Sequence, residues 1–236
     1  MLKTLKRLLP IDICAALFVL FEIILFPLIQ LTPGEMSARW SYTAIVLVGV
    51  MALVTFSGRS NTNFIRVGIL FTLVADYFLV LDGEKLLEGV LAFIVVQAAY
   101  FVYILLNEES RAVRIANVGS RIALSLILVV ATFIVLGSDT DALAIASVIY
   151  YAGLLLNTVF AFLLGRRARI FAIGLALFCM CDLCIGLEVL CSSYLDSGAF
   201  DFFYSDHLNL PWVFYQPSQT LIALHIRRQH RHQDPI

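Results

Sequence analysis

Long apolar stretches separated by only a few polar residues constrain this chain more than any other feature. A bilayer core of about 30 Å needs about 20 mostly apolar residues per helical span, whereas a barrel strand would show about ten residues of alternating polarity. This predicts an all-α fold, a polytopic helical bundle in one membrane-embedded domain over residues 1–236. Eight stretches fit helical spans, at residues 10–31, 38–57, 65–82, 86–106, 119–137, 142–164, 169–191 and 208–226.

The composition agrees with a membrane protein. The chain is 61% hydrophobic and only 14% charged, whereas a soluble domain carries about 25% charged residues because its surface faces water. A soluble enzyme, a nucleic-acid-binding protein and a disordered chain are therefore excluded. We expect a multi-pass protein of the cell membrane, which in a bacterium is the cytoplasmic membrane.

The basic residues support the count of eight. Of the 16 Lys and Arg, all except Arg39 and Lys85 lie before the first span, after the last span or in every second loop. In this count Arg121 belongs to the loop before the fifth span. Cytoplasmic loops of membrane proteins are enriched in Lys and Arg, so both termini are predicted to be cytoplasmic. A wrong helix count would destroy the alternation.

Ionisable side chains inside the predicted spans are candidates for function. Each costs about 2.5–3.5 kcal/mol at the centre of a membrane helix, so it is rarely retained without a role. We interpret the two glutamates as structural or interfacial and the two aspartates as functional. The four residues are Glu22, Asp76, Asp182 and Glu188.

The two aspartates share a local pattern that suggests an internal repeat. Gly68 and Gly174 each stand eight residues before an Asp, and a small residue directly precedes each Asp. The helices that follow share a second pattern, Phe93-x-x-x-Gln97 in one half and Tyr215-x-x-x-Gln219 in the other. The two patterns lie four helices apart. Because four is an even number, the corresponding helices would run in the same direction, which gives two parallel halves related by an axis along the membrane normal. Such an axis would bring Asp76 and Asp182 toward each other.

Other polar residues in the spans are candidates for supporting roles or for substrate binding. Tyr and Gln also hydrogen-bond across helix interfaces in membranes, and that alternative stays open for each residue. Four cysteines of the seventh span, Cys179, Cys181, Cys184 and Cys191, are interpreted as small packing residues. We expect neither a metal nor another cofactor. The supporting candidates are Gln97, Tyr100, Tyr151, Tyr215 and Gln219.

Four segments resemble, in order, motifs of the YhhN-type membrane proteins, which include the lysoplasmalogenases. Over roughly residues 40–226 their order and spacing agree with that family. The chain departs from the pattern at Gln97, where the family usually has His, and at Ala75 and Cys181, which replace Gly and Ser. A Lys-Pro pair of the second helix is also missing. The segments are Gly68–Leu79, Gly89–Tyr100, Ala176–Ile185 and Tyr215–Ala223.

The resemblance implies hydrolysis of the vinyl-ether bond of a lysoplasmalogen, with a lysophospholipid in the bilayer as substrate and a fatty aldehyde and a glycerophospho-base as products. Vinyl-ether cleavage begins with proton delivery to carbon and ends with attack by water, so it needs one protonated carboxyl and one carboxylate. We assign these roles to Asp76 and Asp182 without deciding which is the acid. Tyr100, Tyr151, Tyr215 and Gln219 would orient the water or hold the head group.

Two other functions fit the same residues. A small proton-coupled transporter or a lipid-binding membrane protein would use the Asp pair to carry protons, because acidic groups near the midplane and parallel repeats are also transporter features. Transporters often have helices broken at matching places in both halves, and only Pro27 and Pro217 lie well inside predicted spans. A purely structural scaffold is the third alternative.

Overall fold

A computed structural model describes residues 10–55, 61–194 and 209–233. This part of the chain is helical and contains no strand, which confirms the predicted all-α bundle. Its eight α-helices are α1 Pro10–Leu31, α2 Gly34–Val54, α3 Asn63–Asp76, α4 Leu86–Asn107, α5 Arg111–Leu136, α6 Ala142–Leu163, α7 Arg169–Tyr194 and α8 Leu210–Gln233.

The predictions made for some residues lie outside the described part of the chain. These are the loop and terminal positions within 1–9, 56–60, 195–208 and 234–236, including Lys3, Lys6, Arg7 and Arg59. The side chains of Glu188 and Cys191 are also outside it. Cytoplasmic placement of the two termini stays a prediction.

Seven helices of the described chain, α1 to α7, are long and apolar enough to cross a membrane. The eighth predicted span corresponds to α8, which is more polar because it carries Gln216, Ser218, Gln219 and His225. From residue 209 to residue 227 no side chain is exposed. A polar helix is tolerated in a bundle because neighbouring helices, rather than lipid, surround its side chains.

The fifth helix begins earlier than predicted. The sequence predicts a start at residue 119, but α5 begins at Arg111, where the Ser110 hydroxyl accepts a hydrogen bond from the Val113 amide. A search for apolar residues misses the first two turns of α5, because residues 111–118 include polar side chains. The helical backbone hydrogen bonds nevertheless extend through these residues. Arg121 therefore lies well inside α5 and not in a loop, which corrects its assignment.

The second helix also begins earlier, at Gly34 instead of residue 38. Pro33 has extended backbone angles (φ −84°, ψ 159°), and Gly34 follows with φ +59°. A Pro cannot continue the preceding helix, and Gly adopts positive φ at little cost. The turn between α1 and α2 is therefore only two residues long, Thr32 and Pro33.

Packing between helices is closely similar in the two halves of the chain. The pairs α1 with α2, α2 with α3 and α3 with α4 have counterparts in α5 with α6, α6 with α7 and α7 with α8. The contact of α4 with α6 is matched by that of α8 with α2. This is the pattern expected of two parallel four-helix repeats, and helix α8 also contacts α1 and α3. Helix α5 lies at the periphery, with Asn117 as its only buried residue.

Candidate active site

The first carboxyl of the predicted pair lies at the end of α3. Asp76 is buried, with 3% of its surface exposed. The hydroxyl of Tyr215, from α8, donates a hydrogen bond of 2.7 Å to its Oδ2. Helix α3 contacts α8 directly, so a residue far away in the sequence becomes the partner of Asp76.

The second carboxyl lies on α7. The Tyr150 hydroxyl, from α6, donates a hydrogen bond of 2.6 Å to Oδ2 of Asp182. Each aspartate therefore accepts from one buried tyrosine of a neighbouring helix. Hydrogen bonds to an ionised oxygen are about twice as strong as neutral ones, so these two contacts hold both carboxyls in position.

The two Asp–Tyr pairs are neighbours. The Phe178 ring lies between the tyrosines, with its centroid 5.2 Å from that of Tyr215 and 6.4 Å from that of Tyr150. Asp182 lies within electrostatic range of Asp76, and Cys181 lies within range of both carboxyls. Two acidic groups from separate halves of the chain thus share one interior site.

The backbone changes its geometry directly after Asp76. Residues Tyr77–Asp82 form a π-helical turn, and the Gly83 amide donates to the Phe78 carbonyl at 2.9 Å. Helix α7, by contrast, continues as an α-helix beyond Asp182. Short π-helical segments are rare and occur frequently at functional sites. The local structure after the two aspartates therefore differs, although their sequence patterns match.

The glycines that precede the two aspartates allow close helix packing. A Cβ on Gly68 would lie 2.3 Å from Cε1 of Tyr100 in α4, and one on Gly174 would lie 2.8 Å from Cγ1 of Ile222 in α8. Tyr100 and Ile222 occupy equivalent places in the repeat, three residues after Gln97 and Gln219. The shared offset of glycine and aspartate thus reflects the same helix contact in both halves.

Tyr100, one of the predicted supporting residues, is completely buried. Its ring packs against that of Phe171 with centroids 5.3 Å apart, and its hydroxyl lies beside Thr72 and within electrostatic range of Asp76. The structure therefore places Tyr100 next to the carboxyl site.

The two predicted glutamines have different surroundings. Asn157 Nδ2 donates to both the backbone carbonyl and Oε1 of Gln97, each at 2.9 Å. Gln219 is completely buried, and neither its Oε1 nor its Nε2 has a hydrogen-bond partner in the described part of the chain. Gln219 lies one helical turn after Tyr215, on the same face of α8. A buried amide without partners is costly and calls for a functional explanation.

The predicted Tyr151 is less well placed than its neighbour. It lies within electrostatic range of Asp182 and Cys179, but its hydroxyl makes no hydrogen bond to any described residue, and its side chain is only half-buried. Tyr150 is the partner of Asp182. Adjacent residues of a helix point about 100° apart, so only one of the two tyrosines can face Asp182. The sequence alone does not show which one.

Sequence reasoning missed a polar network centred on Arg121. Its guanidinium donates to Oδ1 of Asn157 at 2.8 Å, to Oδ1 of Asn117 at 3.3 Å and to the Gly153 carbonyl at 3.3 Å, and it lies 4.2 Å from the Phe101 ring centroid. Asn157 connects this cluster to Gln97. Arg121 lies two residues inside the predicted span 119–137, so the signal is present in the sequence, but the residue is counted there with the basic residues of the preceding loop.

The cysteines of α7 occupy the places expected of small packing residues where their side chains are described. Cys181 and Cys184 are buried, and Cys179 Sγ lies 3.2 Å from the Thr158 hydroxyl. Among the described residues no group of three His, Cys, Asp or Glu side chains could hold a metal ion. The chemistry available at the site is that of two carboxyls, their two tyrosine partners, the Tyr100 hydroxyl and the Gln219 amide, and the last two have no hydrogen-bond partner among the described residues.

Comparison with known proteins gives one family. The sequence model of the YhhN family matches residues 36–226, which include both aspartates, both of their tyrosine partners and Gln219. No curated protein and no solved structure gives a significant match. Since the match covers most of the chain, this multi-pass helical membrane protein belongs to the YhhN family.

Proposed function

We propose that this protein hydrolyses the vinyl-ether bond of a lysoplasmalogen and releases a fatty aldehyde and a glycerophospho-base. The resemblance of the motifs around Asp76 and Asp182 to those of the lysoplasmalogenases supports the reaction. Membership of the YhhN family and the membrane-helical fold are consistent with a lipid substrate. The observation that carries the proposal is geometric: the hydrogen-bonded pairs Asp76–Tyr215 and Asp182–Tyr150 flank one aromatic ring, that of Phe178.

The reaction needs only groups that this site contains. One carboxyl gives its proton to the vinyl carbon remote from the ether oxygen, and the double-bond electrons form the new C–H bond. The adjacent carbon becomes an oxocarbenium-like centre. A water molecule attacks that centre and gives a proton to the second carboxylate, and the hemiacetal then collapses to an aldehyde and an alcohol. One water is consumed, and the two carboxyls have exchanged their roles as acid and base.

The tyrosines serve as positioning residues in this scheme. Tyr215 and Tyr150 each donate to Oδ2 of one aspartate, which leaves the other oxygen of each carboxyl outside these two hydrogen bonds. A carboxyl held at a fixed angle delivers or accepts a proton along a defined line, and correct orientation of reacting groups supplies much of the catalytic effect of enzymes.

Gln219 is assigned to the attacking water. Its amide has both a donor and an acceptor without partners, and a water molecule can satisfy both groups. Because Gln219 lies one turn from Tyr215, a water on its amide would be near Asp76. Gln97, whose Oε1 is already bonded to Asn157, contributes to helix packing in this proposal.

The test of the function is aldehyde release. Purified protein in lipid nanodiscs is incubated with a lysoplasmenyl lipid, and the aldehyde is trapped as a hydrazone and measured by mass spectrometry. The matched control substrate has a saturated alkyl-ether chain and has no double bond to protonate, so it should release no aldehyde. Folded wild-type protein without aldehyde release but with proton-dependent lipid uptake in liposomes would favour the transporter alternative and overturn the proposal.

The adjacent tyrosines provide a matched pair of variants. Tyr150→Phe removes the hydrogen bond to Asp182, and we expect kcat to fall at least about tenfold because one hydrogen bond to a charged group contributes about 1.5–3 kcal/mol. Tyr151→Phe removes a hydroxyl without such a bond and should keep kcat within about twofold of wild type. Initial rates of aldehyde release at saturating lipid measure both. Equal loss in the two variants would contradict the role of Tyr150.

The two glutamines should respond in opposite ways. Gln219→Leu removes an unpaired buried amide, so we expect a fall in kcat of at least about tenfold without a lower Tm. Gln97→Leu removes one of the two acceptors of the Asn157 amide and should destabilise the fold by about 0.5–1.5 kcal/mol. Thermal unfolding and kcat are measured for both variants. A lower Tm for Gln219→Leu with unchanged kcat would show that this residue is structural.

A further inference from the structure

A second polar site lies on the side of the bundle, between α1 and α8. A groove of about 330 Å³ opens there, a volume at the lower end of the range for ligand pockets, about 300–1,000 Å³. Its α1 wall faces outward, since Ile23 is 63% exposed. The lining is apolar except for the side chains of Glu22, Gln216 and Thr220, and includes Ile23, Pro217 and Leu221.

Glu22 and Gln216 form a buried pair at this groove. Gln216 Nε2 donates to Oε2 of Glu22 at 2.7 Å and to the Glu22 backbone carbonyl at 2.8 Å. Oε1 of Glu22 and Oε1 of Gln216 are buried and have no hydrogen-bond partner in the described chain. The two residues are 4% and 3% exposed. Two buried oxygens without described partners, an arrangement that is unfavourable unless a ligand or water completes it, therefore belong to residues that line this groove.

We propose that this groove binds a single-chain lipid that carries a free hydroxyl group. The apolar residues of α1 and α8 line the acyl chain, and the hydroxyl donates to Oε1 of Glu22. With Glu22 ionised, both unpartnered atoms are acceptors, so the ligand supplies the donor. An aldehyde or an ester carbonyl has none, and a phosphate would place negative charge against the carboxyl. Oε1 is covered in this structure, so the Glu22 side chain turns outward as the hydroxyl arrives.

This site is separate from the Asp pair. Helix α1 precedes the region matched by the family, which begins at residue 36, so Glu22 is a feature of this chain outside that match. Gln216 is adjacent to Tyr215, but on a helix its side chain points about 100° away. Binding at the groove needs no catalytic turnover, and the inference does not depend on the proposed hydrolysis.

The test is photolabelling in nanodiscs with a monoacylglycerol that carries a diazirine in its acyl chain. The matched probe has the same chain, with both glycerol hydroxyls converted to methyl ethers. We expect the hydroxyl probe to label peptides of α1 and α8 about tenfold more than the ether probe, the effect of one hydrogen bond to a charged group. Peptide mapping by mass spectrometry measures the labelling, and excess unlabelled monoacylglycerol should compete.

Three variants separate binding from folding. Glu22→Leu removes the acceptor, and we expect hydroxyl-probe labelling of α1 and α8 to fall to the level of the ether probe. Leu221→Trp fills the groove while keeping both polar side chains and should reduce labelling by both probes, so the test remains possible if Glu22→Leu fails to fold. Glu35→Gln changes an exposed glutamate at the start of α2 and should label as wild type.

Three results would overturn the proposal. They are equal labelling by the two probes, labelling of α1 and α8 that Glu22→Leu and Leu221→Trp leave unchanged, and hydroxyl-dependent labelling that maps to other helices. Loss of aldehyde release in an Asp76 variant with unchanged photolabelling would show that the groove and the carboxyl site act independently. Aldehyde release therefore reports on the hydrolysis, and photolabelling reports on the groove.

Discussion

Asp76→Asn and Asp182→Asn are each expected to reduce aldehyde release from a lysoplasmalogen by about 10²- to 10⁴-fold, the contribution typical of a general acid or base. An amide can neither deliver the proton to the vinyl carbon nor accept one from water. Each variant interrupts the exchange of roles between the two carboxyls, so both should lose kcat and the double variant should lose little more. Single-turnover measurement of aldehyde formation gives the rates directly.

These variants should retain the fold. The Asn Oδ1 can still accept the hydroxyl of Tyr215 or Tyr150, and a neutral amide removes a charge from the interior. Asp139→Asn, in the exposed turn Gly137–Asp139 between α5 and α6, is the matched control and should keep wild-type activity. Folded Asp76→Asn or Asp182→Asn protein with more than a tenth of wild-type activity would remove that carboxyl from the mechanism.

Gly68→Ala should lower the Tm of the protein, whereas Gly119→Ala should raise it slightly. Ala in a helix interior is favoured over Gly by about 0.5–1 kcal/mol. At Gly119 of α5 no atom lies within 4 Å of an added Cβ, so this gain is realised. At Gly68 the added Cβ would lie 2.3 Å from the buried ring of Tyr100. Overpacking of that kind costs about 1–3 kcal/mol, which exceeds the helical gain.

A double variant tests the cause of this destabilisation. Tyr100→Leu removes the ring that the new methyl group meets, so Gly68→Ala should cost less in that background than in the wild type. Thermal unfolding of the four proteins in one detergent measures the coupling. If Gly68→Ala and Gly119→Ala shift the Tm equally, the close approach of α3 and α4 at this position would be wrong.

The pairing of the two aspartates follows from sequence spacing alone. Gly68 and Asp76, like Gly174 and Asp182, are eight residues apart, a little over two turns of a helix, so both members lie near the same face. A helix face with a small residue and a carboxyl is expected to pack inward, because an unpaired charge in contact with lipid is energetically costly. The repeated offset then predicts equivalent positions in two halves, and in the folded chain each aspartate accepts a hydrogen bond from a tyrosine of a neighbouring helix.

The partners of these carboxyls could not be inferred in the same way. The repeat places Phe93 of α4 where α8 has Tyr215. The symmetric counterpart of the Asp76–Tyr215 contact would therefore be Asp182 with Phe93, which has no hydroxyl. That role passes to Tyr150 of α6, and Phe93 instead packs on the Tyr150 ring at 5.4 Å. Helical periodicity fixes the direction of a side chain relative to its own helix, but the choice of Tyr150 over Tyr151 depends on the rotation of α6 in the bundle.

The membrane-spanning character, the number of helices and the two candidate aspartates are predictable from the amino-acid pattern, because hydropathy and helical period act locally along the chain. Which polar groups meet depends on the folded bundle. It placed Arg121 inside α5, the polar helix α8 among its neighbours, and Gln216 against Glu22. These contacts join residues far apart in the chain, and their geometry follows from how whole helices rotate and pack against one another.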